Sequence, residues 1–297
     1  MAAEQTYPYP PGDGEVRWVS TEWLAAHLKD PGLQIIDSQP NIHDYVRGHI
    51  PGALFVEENH WRISRDRPGV FLPPEMAELL LRRLGIRPGD PVVVSSSSGP
   101  LSICTTYIGD GLEQTMLAYT LARYGHRMVY ILDGGVDKWQ QEGRPLSQVY
   151  PRVVESDFRV QLRKDFIIEY EEVKATKDRP DVILLDARPS PVYEGQGPWP
   201  KPGHIPGAVS LPWKSLMDPK NAKLLKPGDQ IRAILAEKKI TPDKSIICSC
   251  GTGREATNEF CLFRYYLKFP RVRLYEGSFT EWTMYPDNPT VTGKNPR

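Results

Sequence analysis

The chain has no surplus of either charge: Lys plus Arg and Asp plus Glu both number 37 among 297 residues. A zero balance argues against a partner held by bulk electrostatics, nucleic acid above all, although a local basic pocket remains open. Cysteine is scarce, at four residues: Cys104, Cys248, Cys250 and Cys261. So few in a chain this long cannot form a disulfide framework, and reduced thiols in a cytoplasmic protein are the simpler expectation. No apolar run approaches the roughly 18 residues of a membrane span, so no membrane association is expected. Residues 1–13 are polar and rich in Pro and Tyr, without the basic start and apolar stretch of a secretory leader. No His/Cys cluster has metal-ligand spacing and no loop has the phosphate-binding pattern, so neither a metal nor an organic cofactor is implied.

What the sequence does contain is a duplication. Gly48-His49-Ile50-Pro51-Gly52-Ala53 reappears as Gly203-His204-Ile205-Pro206-Gly207-Ala208. An apolar stretch ending in Asp37 precedes the first, and one ending in Asp186 precedes the second. Val92-Val93-Val94-Ser95 matches Ile246-Ile247-Cys248-Ser249, and Gly134-Gly135 with Trp139 matches Gly277-Ser278 with Trp282. The period, roughly 150 residues, is far above solenoid spacing, so the repeating unit is a whole domain. The chain divides into an extension (1–15), a first domain (16–146), a linker (147–159), a second domain (160–290) and a tail (291–297).

Each copy alternates apolar strands with helices, which predicts an α/β fold: a mainly parallel sheet covered by helices on both faces. Ser20 suits the N-cap of a helix over 21–28, and Pro73-Pro74 suits the start of another over 75–84. In the second copy a strand over 245–248 leads through a glycine-rich loop into a helix over about 255–268. Ala256, Phe260, Phe263 and Leu267 give that helix one apolar face.

The chemistry concentrates in Cys250-Gly251-Thr252-Gly253-Arg254-Glu255, between that strand and that helix. Two glycines let the backbone curl and aim several N–H groups at one point. The helix N-terminus adds positive potential and Arg254 adds a full charge, so a thiol here is expected to have a lowered pKa. A lone cysteine after a strand is more often a small buried hydrophobe. A packing residue, however, has no need of Gly251, Gly253 and Arg254 around it. Cys248, Cys104 and Cys261 lack such a setting and are read as packing residues.

Taken together, these motifs resemble the tandem-domain rhodanese family over roughly residues 16–290. The resemblance implies two rhodanese-like domains, the first inactive, with Cys250 carrying sulfane sulfur as a persulfide. It implies transfer from thiosulfate or 3-mercaptopyruvate to cyanide or a thiol. It also implies that Arg188, just past a strand end, binds the donor's anionic group together with Arg254, and that Gly251, Thr252, Gly253 and Glu255 shape the same pocket. The first copy has Ser96 where the second has Cys250, and a serine cannot hold a persulfide. Glu255 is expected to cap the helix N-terminus. His49 and His204 recur in both copies, the cysteine-free one included, and are read as scaffold. Trp213 and Lys214 are weaker candidates for the pocket lining.

The resemblance leaves the donor open: Arg254 is similar to the basic loop residues of thiosulfate-type tandem enzymes, whereas the start Cys250-Gly251-Thr252-Gly253 resembles that of mercaptopyruvate-type enzymes. Thiosulfate is the first reading. A cysteine phosphatase would need arginine at position 256, which is Ala256. A sulfur carrier or interaction module that accepts persulfide sulfur without turning over a donor is the remaining alternative.

Overall fold

The computed structural model describes residues 15–100 and 108–297. The expected N-terminal extension, residue 15 apart, and Cys104 lie outside the described residues. The chain divides into two compact units, one formed by residues up to 57 with 75–161, the other by 58–74 with 162–297.

The first unit is built on five parallel strands in the spatial order Val16–Val19, Val129–Leu132, Val92–Ser95, Gln34–Asp37, Ala53–Phe55. The second has four, in the order Val272–Leu274, Ser245–Ser249, Val182–Asp186, Val209–Ser210. Ile167 adds a parallel bridge outside Leu274, where the first unit has its N-terminal strand. The order is therefore the same in both units. Register places Ser95 opposite Asp37, and Ser249 opposite Asp186. Ser96 and Cys250 are thus the corresponding residues, each the first after its central strand. The inner strands are mostly apolar and buried, as a parallel sheet covered on both faces requires.

The repeated motif packs alike in both units. His49 stacks on Tyr45 at 3.9 Å between ring centroids, and His204 on Tyr193 at 3.6 Å. Both ring nitrogens of each histidine meet backbone carbonyls, those of Tyr45 and Val149 or of Tyr193 and Asn295. Both tyrosine hydroxyls donate to an alanine carbonyl, Ala53 or Ala208, at 2.7 Å. Fully buried and bonded to backbone, these histidines brace the fold.

Ser20 caps the helix Thr21–His27, its hydroxyl accepting from the Trp23 N–H at 3.0 Å. The helix after Cys250 is shorter than its apolar spacing predicts: Ala256–Cys261 is α-helical and Leu262–Tyr266 continues as a π turn. Residues 147–159, expected as a linker, run along the first unit instead. Ser147 bridges His49, and the Ser156 N–H donates to the Arg82 carbonyl at 3.0 Å. The tail does the same in the second unit, where Val291 bridges His204 and the Gly207 N–H donates to the Pro296 carbonyl.

The segment Glu58–Pro74 belongs to the second unit although it lies in the first half of the sequence. It forms a 3₁₀ turn, Glu58–Trp61, and a two-stranded antiparallel ladder of Arg62–Ile63 with Val70–Phe71. Among the described residues no helix is long and apolar enough to cross a membrane.

Candidate active site

Cys250 sits at the C-terminal end of the central strand of the second unit, the edge at which open parallel sheets present ligands. It is completely buried. Its backbone N–H donates to Ser278 Oγ at 3.0 Å, and that oxygen lies 4.0 Å from Cys250 Sγ. The backbone N–H groups of Thr252 and Ala256 are directed at the sulfur. Gly253 has φ of +82°, and a Cβ there would come within 2.8 Å of the Glu276 carbonyl, so this bend of the loop requires glycine. At Gly251 a Cβ would stand 2.7 Å from the Trp199 ring. The loop thus curls around the sulfur as its glycine spacing predicts.

The electrostatics depart from the expectation of a lowered thiol pKa. Burial pushes the Cys250 thiol well above its usual value, the Glu255 carboxylate adds to the rise, and the N–H groups of Thr252 and Ala256 oppose it without prevailing. Loss of hydration outweighs two backbone dipoles because a thiolate depends on its solvent shell. Nor does Glu255 cap the helix: it occupies the N-cap position but makes no side-chain cap bond. Its charge acts on the thiol instead.

Arg254 departs as well. Its Nε donates to both carboxylate oxygens of Glu58, at 2.7 and 2.9 Å. Arg62 stands 3.5 Å from the same carboxylate and donates to the Thr252 carbonyl at 3.0 Å. The 58–74 segment therefore grips the Cys250 loop through both arginines.

Arg188 is buried beside the loop, its Cδ 3.9 Å from where a Gly251 Cβ would stand. Nε and Nη2 donate to Asp186, and Nη2 also donates to the Gly203 carbonyl at 2.9 Å. Nη1 is buried and meets no hydrogen-bond partner. The guanidinium carbon lies 4.1 Å from the Phe279 ring centroid and 5.0 Å from that of Trp199. A buried guanidinium nitrogen without an acceptor is costly, and an anionic ligand would satisfy it.

The sequence reading missed Trp199 and Ser278. Trp199 lies against Gly251 and donates through Nε1 to Thr280 Oγ1 at 2.8 Å, and Thr280 in turn donates to the Gly251 carbonyl at 2.8 Å. The available signal was spacing: the stacked Tyr and His stand four residues apart in the first unit and eleven apart in the second. The extra residues bring Trp199 to the loop. Ser278 has φ of 51°, at the position where the first unit has Gly135 at 61°. A serine held in a glycine conformation carries strain that its hydroxyl beside Cys250 explains.

Other candidates have other settings. Trp213 is buried and its backbone N–H donates to the Ala187 carbonyl at 3.1 Å, while Lys214 is exposed. Cys248 and Cys261 are buried and their thiols pushed up by burial, as suits packing residues. In the first unit Ser96 Oγ lies 3.1 Å from Glu113 Oε2. Asp37 there meets Gln39 where Asp186 meets Arg188. Among the described residues no group of three or more His, Cys, Asp or Glu is placed to hold a metal ion.

Comparison with known proteins matches this arrangement. The profile of the Rhodanese-like domain matches residues 20–142 and again 169–285. The chain is 32% identical over 268 residues to the thiosulfate sulfurtransferase of Azotobacter vinelandii, covering 90% of this chain and 93% of that one. It is 29% identical over 289 residues to the 3-mercaptopyruvate sulfurtransferase of Escherichia coli, covering 92% and 96%. It is also 29% identical over 294 residues to a sulfur carrier protein of Thermus thermophilus, covering 93% and 96%. Among solved structures, the anaerobic ergothioneine biosynthesis enzyme of Chlorobium limicola shares the fold, with a TM-score of 0.79 at 22% identity over 93% of this chain and 70% of that one. With two domain matches spanning most of its length and one shared strand order in both units, the chain belongs to the rhodanese family, in its tandem-domain form.

Proposed function

We propose that this protein is a sulfurtransferase that moves sulfane sulfur from a small anionic donor to cyanide or a thiol through a persulfide on Cys250. The observation that carries this reading is the loop itself: Cys250 directly follows the central strand, with the backbone N–H groups of Thr252 and Ala256 directed at its sulfur. Such donors suit a persulfide anion, whose charge lies on the outer sulfur. Gly251 and Gly253 let the loop close around it, and Arg188 Nη1 is the contact for the donor's anionic group.

Thiosulfate is the donor in the first reading. Cys250 Sγ bonds to its outer sulfur, the S–S bond of thiosulfate breaks, and sulfite leaves with the electron pair. The thiol proton passes to Glu255, the carboxylate acting on the thiol. An acceptor thiolate or cyanide then takes the outer sulfur and Cys250 leaves as thiolate, giving ping-pong kinetics.

A second reading takes 3-mercaptopyruvate as donor, and two observations favour it. Arg254 is engaged by Glu58, and Glu255 places negative charge at the thiol. Both leave less positive charge for a dianion than the loop sequence promises. In that case the C–S bond of the donor breaks and pyruvate leaves after its enolate carbon gains a proton. A third reading, of a different class, is a carrier that forms the same persulfide but turns over small donors poorly.

The test is intact-protein mass spectrometry after incubation with each donor, followed by cyanide. A gain of one sulfur that cyanide removes, absent in Cys250→Ser and retained in Cys104→Ser, is the expected result. No gain with either donor, or a gain that survives in Cys250→Ser, would reject Cys250 as the sulfur carrier. Persulfide formation without steady-state turnover would favour the carrier.

A further inference from the structure

We propose that Glu58 determines which donor charge the site accepts, by holding Arg254 away from Cys250. The inference rests on the sulfurtransferase reading and deepens it. Glu58 is buried, at 6% exposure, on a turn contributed from the first half of the sequence. Two arginines approach its carboxylate: Arg254 by two bonds at 2.7 and 2.9 Å, and Arg62 at 3.5 Å. The loop has braces besides this carboxylate. Arg62 already fixes the Thr252 carbonyl at 3.0 Å, and Thr257 fixes the Arg254 carbonyl through Oγ1 at 2.7 Å.

What the carboxylate does is occupy the one cationic side chain of the loop. A donor that sought Arg254 would have to displace a charge-assisted, two-oxygen contact in a partly desolvated setting, where such contacts are strong. The donor therefore meets three features: the backbone donors, one unpaired nitrogen of Arg188, and the negative charge of Glu255. That combination suits a singly charged or neutral sulfur donor and disfavours a dianion. Glu58 is thus a positioning residue that acts through Arg254 and sets specificity without touching the donor.

Glu58→Gln keeps the size of the side chain and releases Arg254. The expected result is about a tenfold rise in kcat/KM for thiosulfate, mostly through KM, with a much smaller change for singly charged 3-mercaptopyruvate. The gain should vanish in the double variant Glu58→Gln/Arg254→Gln. A readout independent of turnover is the ratio of Cys250 alkylation rates with iodoacetate and with iodoacetamide, an anion and a neutral reagent of similar size. The ratio should rise in Glu58→Gln. Should that variant not fold, Glu58→Asp pulls the charge back by one methylene and should move the ratio the same way by less. A fall in kcat for both donors with an unchanged alkylation ratio would overturn the proposal and leave Glu58 as a loop brace. If the wild-type protein forms no persulfide with either donor, the sulfurtransferase reading fails, and the alkylation ratio still decides the role of Glu58.

Discussion

Arg188 lies against Asp186 with Nε and Nη2 donating to its two carboxylate oxygens, at 2.9 and 2.6 Å, and both side chains are buried. At the same register in the first unit, Asp37 receives instead the backbone N–H and the side-chain amide of Gln39, at 3.0 and 2.9 Å. The two units thus place the same acid at the same strand end, one with a cation and one without. That difference gives each acid its own consequences.

For the second unit, Arg188→Ala is a poor probe. It would strand a buried carboxylate, at roughly 3–5 kcal/mol. Arg188→Gln copies the Asp37–Gln39 arrangement and is expected to keep the fold. Loss of one charge-assisted contact should lower kcat/KM for the donor about ten- to hundredfold. A chemically preloaded Cys250 persulfide should still pass sulfur to cyanide. Loss of that second half-reaction would assign Arg188 to the persulfide itself.

For the first unit, burial raises the Asp37 carboxyl from 3.8 to about 7, against the opposing bonds from Gln39. The folded state then holds a proton that the unfolded state releases near 3.8. Asp37 therefore costs no stability below its unfolded pKa. The cost accumulates as pH rises from the unfolded value to the folded one and is complete above it, at about 4 kcal/mol. Asp37→Asn removes the titration. Its melting temperature relative to wild type should climb between pH 4 and pH 7 and level off above. A difference independent of pH would show that Asp37 is already ionised in the fold.

At Cys250, burial and then Glu255 raise the thiol above its usual 9.0. The rate of alkylation by iodoacetamide should accordingly keep increasing beyond pH 9. Glu255→Gln removes the charge that opposes ionisation, so the profile should move to lower pH. If Glu255 also takes the thiol proton during turnover, sulfur transfer should fall in the variant even as the thiol ionises more readily. An unmoved profile would mean that Glu255 faces away from the sulfur.

Ser278 offers a separation of stability from activity. Its φ of 51° is the conformation that Gly135 supplies in the first unit. Ser278→Gly should relax the backbone, a gain of up to about 1 kcal/mol that offsets only part of what the lost hydroxyl contributes. It also removes the acceptor of the Cys250 N–H, a buried donor whose loss of partner costs about 1–3 kcal/mol. Persulfide formation should slow while the fold persists. Unchanged kinetics would make the serine incidental.

Much of this protein is written locally in its sequence. The paired Gly-His-Ile-Pro-Gly-Ala motifs disclosed the duplication, and Cys250-Gly251-Thr252-Gly253 disclosed a loop curled around a thiol. Strand, loop and helix are properties of consecutive residues, so periodicity and glycine placement suffice to read them. What faces the sulfur is another matter. Arg254 reads as an anion contact because it is near Cys250 in sequence, yet its long side chain turns to Glu58, 196 residues upstream. Glu255 reads as a helix cap, yet its charge falls on the thiol. The rise of the Cys250 pKa comes first from burial, which no local pattern records. Local order determined where the cysteine stands. Only tertiary packing decided which charges it meets, because a side chain's partner depends on what the folded chain brings within its reach.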